Sequence, residues 1–559
     1  MNVFSKKTAS VAAVLSLMIG LSACSGDNSN SATGADSSAN TPKNGEASAN
    51  APAGGGMYML GEQPLEFSFY GHYDWYTMPN WGEDLSTQWI KENKKVNVVP
   101  VSSGGNAKQK LSTMIVSGEL PDVIWLERGA DVEQLRAAGA LVPFDDYLDK
   151  YPNLKEWAGE STLNMLRSPD GKLYQFPNWY TTQPNGNSGY LVNKKIYNEL
   201  GAPSLETTDD LYAYLKQVKE KYPDVVPFEV GQGAEGVDVL SSAFAENRPY
   251  VYSALSMMAI PTGSEMTSVF KDEAFRSSLV YANQLYRDKL ISADAFTQTR
   301  EQVEQKIITG KIAVYAASSP TEFGAIGNSL LSEQDPDAGY IMVWPIHKAG
   351  LDKNKIYPGA YNQLGWNVSV ITTAAEDPEA VFAFLDWFTG PEGQRIIMWG
   401  PEGKYWDGTD AEGAPLFTEA FTTDTKGRDE LMNATVNLQW NGNTVYVDNS
   451  KMKFESTLPE DKKSWETKWQ SEITWKTQYN TTEFVNLAPA GDSNEGIINQ
   501  SVGEIYEKAR AQAVLNAKSE AEVLAILDKA EADAQQVGYS ELLKYKTEKW
   551  QENLSKLKQ

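Results

Sequence analysis

Three short apolar runs between residues 64 and 126 constrain this chain more than any other feature. Residues 64–70 (PLEFSFY), 95–101 (KVNVVPV) and 121–126 (PDVIWL) read as strands. Helical stretches at 85–93 and 108–117 separate them, the second closing at Gly118. Strand, helix, strand, helix, strand is the signature of an α/β lobe built on a parallel sheet. Ligands of such sheets sit beyond the carboxyl ends of the strands. Residues 71–76, 102–106 and 127–130 are therefore the first candidates for a site. At 559 residues the chain is long enough for more than one such lobe.

Later segments continue the style. Residues 208–221 form an amphipathic helix with Asp209 and Asp210 near its start, and residues 311–316 (KIAVYA) a buried strand. Pro378 opens a helix over 377–389, in which Val381, Phe384, Leu385 and Phe388 share one face. Gly390-Pro391 ends it and starts another. From about Val502 the chain is helical, with Gly538 separating two helices and Leu543, Trp550, Leu554 and Leu557 striping the last.

Acids outnumber bases 74 to 49, so a general nucleic-acid binder is excluded; phosphate neutralisation needs clustered Lys and Arg. One Cys forms no internal disulfide, and two His exclude a His-rich metal centre. At the N-terminus, Lys6 and Lys7 precede an apolar run over 11–21, too short to span a membrane and suited to a secretory signal. It ends at Leu21-Ser22-Ala23-Cys24, which resembles the lipobox of bacterial lipoproteins. That resemblance implies a signal peptide over 1–23, cleavage before Cys24, and lipidation of its thiol. Residues 25–56 carry no aromatic or large aliphatic side chain and read as a flexible linker, so 24–56 is expected to tether a folded body at the extracellular face of the cell membrane.

Five further segments occur in a telling order: KLSTMIVSGELPDV at 110–123, GKLYQFP at 171–177, YLVNKKIYNELGAPSLETTDD at 190–210, TGKIAVY at 309–315, and PEAVFAFLDWFTGPEGQRIIMWGPEG at 378–403. Together they resemble the extracellular solute-binding proteins of ABC importers, in particular the large carbohydrate-binding lipoproteins of Gram-positive bacteria. The match runs across residues 64 to 410. It implies a type II periplasmic-binding-protein-like α/β fold, with two α/β lobes joined by a hinge and a solute bound between them. Residues 57–178 and 346–400 would make the first lobe, and residues 179–345 and 401–559 the second with its helical C-terminal extension. Crossings are expected near 176–180, 343–346 and 400–403; the role of 440–490 is open. The resemblance further implies a non-catalytic receptor that delivers an oligosaccharide to the permease subunits of an importer; a monomer without cofactor or metal is expected, with a structural calcium, as some relatives hold, the open alternative.

A sugar offers weakly apolar ring faces and paired hydroxyls, so its site combines flat aromatics with carboxylates, amides and guanidinium groups. His72, Tyr73, Asp74 and Trp75, just past the first strand, have that composition, as do Trp125, Glu127 and Arg128 at the end of the third. Trp179 and Tyr180 stand at the first expected crossing, and Tyr361, Gln363 and Trp366 in a Gly-flanked loop before a strand. The competing assignment for each aromatic is a place in the core.

Other signals are weaker. Residues 231–236 (GQGAEG) match the dinucleotide pattern, but no carboxylate follows at the ribose-binding distance, and a flexible loop near the cleft is expected instead. Asp335-x-Asp337-x-Gly339 and Asp492-x-Asn494-x-Gly496 are fragments of calcium loops without the distal Glu. A secreted glycoside hydrolase would need a carboxylate pair that sequence spacing does not exclude. A peptide or other organic solute on the same fold is the remaining alternative.

Overall fold

The computed structural model describes residues 57–181, 188–249, 257–459, 462–491 and 493–558. The expected signal peptide, linker and Cys24, and Asp492 of the second calcium-like fragment, lie outside the described residues.

The strands of the two main sheets are, in chain order, β1 (Leu65–Gly71), β2 (Val96–Val101), β3 (Val123–Leu126), β4 (Phe176–Pro177), β5 (Gly189–Asn193), β6 (Val226–Glu229), β7 (Ile312–Ala317), β8 (Tyr340–Val343) and β9 (Val368–Ile371). The first sheet has the order β2-β1-β3-β9-β4. β1 pairs in parallel with β2 and β3, while β9 runs antiparallel between β3 and β4. β9 returns some 240 residues after β3, with Val368 opposite Leu126 and Ile371 opposite Val123. The second sheet has the order β8-β5-β7-β6. Strand β3 is buried on both faces, as its unbroken apolar sequence requires.

Each sheet carries its own core. Phe67, Phe69, Ile124, Phe382 and Phe384 belong to the first; Tyr190, Val192, Phe228, Val314 and Leu285 to the second. These are the two α/β lobes. The expected lobe boundaries need correction. Residue 401 does not start the second lobe, because Trp406, Leu438, Trp440 and Val447 pack into the first core. Trp440 is fully buried, stacked on Phe69 with centroids 3.8 Å apart. Gly400 terminates the helix Pro391–Trp399 at φ +77° instead of carrying the chain across. The passage falls later, between the helix Thr444–Ser456, whose Tyr446 packs in the first core, and Trp465, which rests on Gly324 and Leu191 of the second lobe. Tyr180 likewise stays in the first core, and Ile346 in the second.

The C-terminal helices Asn494–Leu515, Glu520–Gln536 and Tyr539–Leu557 pack mainly on the second lobe through Val502, Tyr506, Leu527 and Trp550. The last one also reaches the first: Leu557 packs against its core and Lys556 Nζ donates to the Arg167 carbonyl at 3.3 Å. The 231–236 segment is ordered, as a turn followed by the helix Glu235–Ser241. Arg510 donates to the Gly233 and Ala234 carbonyls and pairs with Asp238 at 2.8 Å. A Cβ on Gly236 would stand 2.4 Å from the Ala316 carbonyl, so that glycine serves close packing.

Candidate ligand-binding site

The site grows from the ends of β1 and β3 and from the segment that enters β9. After β1 the chain folds back sharply: a Cβ on Gly71 would lie 2.1 Å from the Tyr76 ring. The backbone N–H of His72 donates to the Trp125 carbonyl at 2.8 Å, so the turn stays attached to the sheet. This sets Tyr73 and Trp75 above Trp125. Trp366, two residues before β9, arrives from the other side. Its approach depends on Gly365, at φ +72°, where a Cβ would meet the Asn178 carbonyl at 2.1 Å.

Four aromatics gather there from three separate chain segments. Trp75 and Trp366 lie 11° from parallel, with centroids 6.2 Å apart. Tyr73 is 5.1 Å from Trp75 and 5.8 Å from Trp366. Trp125 stands nearly perpendicular to Trp366, with centroids 5.3 Å apart. Trp75 is 58% exposed and Trp366 45%, whereas Trp125 is 4% exposed. Two indoles thus offer a surface and a third supports it; Trp125 itself has no face free for a ligand, which corrects its expected role.

Asn367, fully buried, ties the assembly together. Its Oδ1 accepts from Trp125 Nε1 at 2.7 Å and from Asn178 Nδ2 at 3.0 Å, and its Nδ2 donates to the Tyr73 hydroxyl at 2.8 Å. Tyr73 in turn donates to Glu127 at 3.0 Å. Burial and the adjacent Glu127 carboxylate push the Tyr73 phenol far above its usual range, so it remains a donor. Arg128 donates to the Leu364 and Gly365 carbonyls at 3.3 and 2.9 Å and braces the loop that carries Trp366.

The remaining candidates do not join the aromatic surface. Asp74 accepts from the Ala107 backbone N–H at 2.7 Å at the first turn of the helix Ala107–Ser117, which commits one carboxylate oxygen to a helix end. Tyr180 is fully buried, sharing a hydrogen bond with Thr389 at 2.8 Å, and is a core residue. Trp179 is held at φ +56°, uncommon for a bulky side chain, and its ring lies against Gly442. His72 sits between Tyr70 and Asp131, 3.4 Å from the latter's carboxylate. Tyr361 ends the strand Gly359–Tyr361, which pairs with Gln478–Asn480, and the Gln363 backbone N–H donates to Thr482 at 2.9 Å. Asp335 pairs with Lys195 at 2.7 Å. Among the described residues no group of three or more His, Cys, Asp or Glu is arranged to hold a metal ion.

A family model described as bacterial extracellular solute-binding protein matches residues 77–395. The chain belongs to that family. Among curated relatives of this solute-binding protein, Lipoprotein LipO of Bacillus subtilis is 26% identical over 328 residues, 56% of this chain and 61% of the relative. The polygalacturonan/rhamnogalacturonan-binding protein YtcQ of the same organism is 22% identical over 219 residues, 37% of this chain and 41% of the relative. The chain thus spans less than two thirds of the length of these relatives. A solved extracellular solute-binding protein of Bifidobacterium longum subsp. infantis superposes with a TM-score of 0.66 at 16% identity, over 88% of this chain and 98% of the other. The substrate-binding protein FusA of S. pneumoniae, in complex with kestose, gives 0.62 at 18% identity over 88% and 100%. These likenesses establish the type II fold of the solute-binding protein. Among its described residues, no helix is long and apolar enough to cross a membrane.

Proposed function

We propose that this solute-binding protein captures an oligosaccharide and delivers it to the permease of an ABC importer, without altering it. The observation that carries this reading is the pair of exposed, near-parallel indoles of Trp75 and Trp366, ringed by Tyr73 and Glu127. Exposed tryptophans forgo burial worth about 1.5–3 kcal/mol for a large apolar side chain; a flat ligand face that covers them recovers it. Sugar rings supply such faces, and their hydroxyls match the Glu127 carboxylate alongside. Relatives support the same reading: the melibiose/raffinose/stachyose-binding protein MelE of Bacillus subtilis and a carbohydrate ABC transporter substrate-binding protein of Streptococcus pneumoniae are 23% and 28% identical over parts of the chain.

In this reading Cys24 carries the lipid anchor and residues 25–56 let the body stand off the membrane. The lobes close over the sugar, and the permease recognises the closed form because both lobes then present their faces together. Calorimetric titration of the full chain against plant and microbial oligosaccharides, with a reducing-end assay on the same samples, tests the proposal. Micromolar or tighter binding of an uncut sugar supports it. New reducing ends would make the protein a hydrolase. A response to peptides alone would keep the fold and change the ligand class.

A further inference from the structure

A cavity of about 730 Å³ lies next to the aromatic surface and includes Glu127 in its wall. Arg128 and Gln175 line it from the first lobe, Asn362 from the segment that enters β9, and Phe484, Lys549 and Asn553 from the C-terminal segment. Its charged groups are largely paired, with one another or with side chains just outside the wall. Glu133 pairs with Arg136 at 2.6 Å, Glu552 with Lys549 at 2.9 Å, and Asp131 faces His72. Arg128 is the exception. Its Nη1 is spent on two carbonyls, its Nε–H has no partner, and it makes no ion pair among the described residues. The nearest acid, Glu127, already accepts from Tyr73. Burial pulls the Arg128 guanidinium down to about 10, against the opposing pull of the Glu127 carboxylate beside it. Gln175, 7% exposed, donates through Nε2 to the Leu166 carbonyl at 2.8 Å, while its Oε1 has no partner.

An unpaired cationic donor and an unpaired amide acceptor in one cavity call for a ligand that carries an anion next to a hydroxyl. We propose that this cavity is an acidic-sugar subsite, in which Arg128 receives the carboxylate of a uronic acid unit and Gln175 accepts from a neighbouring hydroxyl. The proposal rests on the oligosaccharide reading above and narrows it. A planar guanidinium matches a carboxylate in shape and charge, and hydrogen bonds between ionised partners are about twice as strong as neutral ones. The Arg128 Nε–H and the Gln175 Oε1 both lie within the wall, so the ligand reaches them only as the wall, drawn from both lobes, adjusts.

The test titrates the full chain calorimetrically with short oligomers of galacturonate and of mannuronate, each beside its methyl ester, and with neutral oligosaccharides. The ester keeps size and hydroxyls and removes the charge. The expected result is at least one acid bound tenfold or more tighter than its ester, with that acid-to-ester ratio, both measured on the same variant, falling to threefold or less in Arg128→Gln. If Arg128→Gln does not fold, Gln175→Leu must lower affinity for the acid threefold or more. Esters bound as tightly as acids, or a preference that survives both substitutions, would overturn the proposal. Neutral sugars binding while no acid does would sink this subsite and leave the receptor reading intact. No binding of any saccharide would remove both.

Discussion

Trp75 and Trp366 lie 291 positions apart in the chain, yet their rings are 11° from parallel with centroids 6.2 Å apart, and both are about half exposed. Neither can be holding the core together, unlike Trp125 beneath them or Trp440, stacked on Phe69. Trp75→Ala and Trp366→Ala are therefore expected to cost about 1 kcal/mol of stability or less, whereas Trp440→Ala should cost about 3–5 kcal/mol. Urea unfolding of the three variants separates surface from core; a large loss for Trp75→Ala would place its ring among the structural aromatics.

Asn367 is the second prediction. Replacing it with Leu leaves Trp125 Nε1 and Asn178 Nδ2 without their acceptor and frees the Tyr73 hydroxyl on one side. A buried donor left unsatisfied costs about 1–3 kcal/mol. Asn367→Leu should thus lose about 3 kcal/mol or more in unfolding experiments. Wild-type stability in this variant would show that the amide is not the tie between the strand ends.

Lys546 gives a pH dependence. It is 1% exposed, donates to the Met257 carbonyl, and burial pulls its amine down to about 8 from an ordinary 10.5. A base whose folded pKa is depressed destabilises the fold while it must be charged. That penalty is fully present below pH 8 and disappears as pH rises from 8 to 10.5. The difference corresponds to about 3 kcal/mol. Lys546→Met should therefore raise the melting temperature at pH 7, and the gain should shrink by pH 10. A variant less stable than wild type at pH 7 would mean that the Met257 hydrogen bond outweighs the buried charge.

Arg510 and Asp238 form a pair within the second lobe, 2.8 Å apart, that fixes the 231–236 turn to the C-terminal helices. Arg510→Met leaves a buried carboxylate uncompensated and should cost about 3–5 kcal/mol. Asp238→Asn in the Arg510→Met background should recover part of the loss, since the stranded charge is gone. Additive losses in the double variant would show that the two residues act independently.

These relationships differ in how far the sequence discloses them. The strands 64–70, 95–101 and 121–126 are legible because each is a short apolar run with helices between, and the carboxyl-end rule then points to Tyr73, Trp75 and Glu127. Trp366 is legible as an aromatic in a glycine-flanked loop ahead of a strand. Asn367 leaves no comparable trace: a single amide before an apolar strand is common, and its role arises only when β3, β4 and β9 come together. Asp74 and Tyr180 have the composition of site residues, but a helix end takes one and the core the other, both through partners distant in sequence. Residues 401–447 carry no local pattern that assigns them to a lobe, so their packing onto the first sheet, through Trp440 against Phe69, is a long-range outcome. The passage between lobes accordingly lies beyond Ser456 and not at Gly400.

The indole pair is the centre of the proposed sugar-binding surface. The measurement that tests it most directly is calorimetric titration of wild type, Trp75→Ala and Trp366→Ala with one oligosaccharide that the wild type binds. Each variant should fold as wild type does and lose at least tenfold in affinity, about 1.4 kcal/mol. Unchanged affinity in both folded variants would contradict it and move the ligand elsewhere in the cleft.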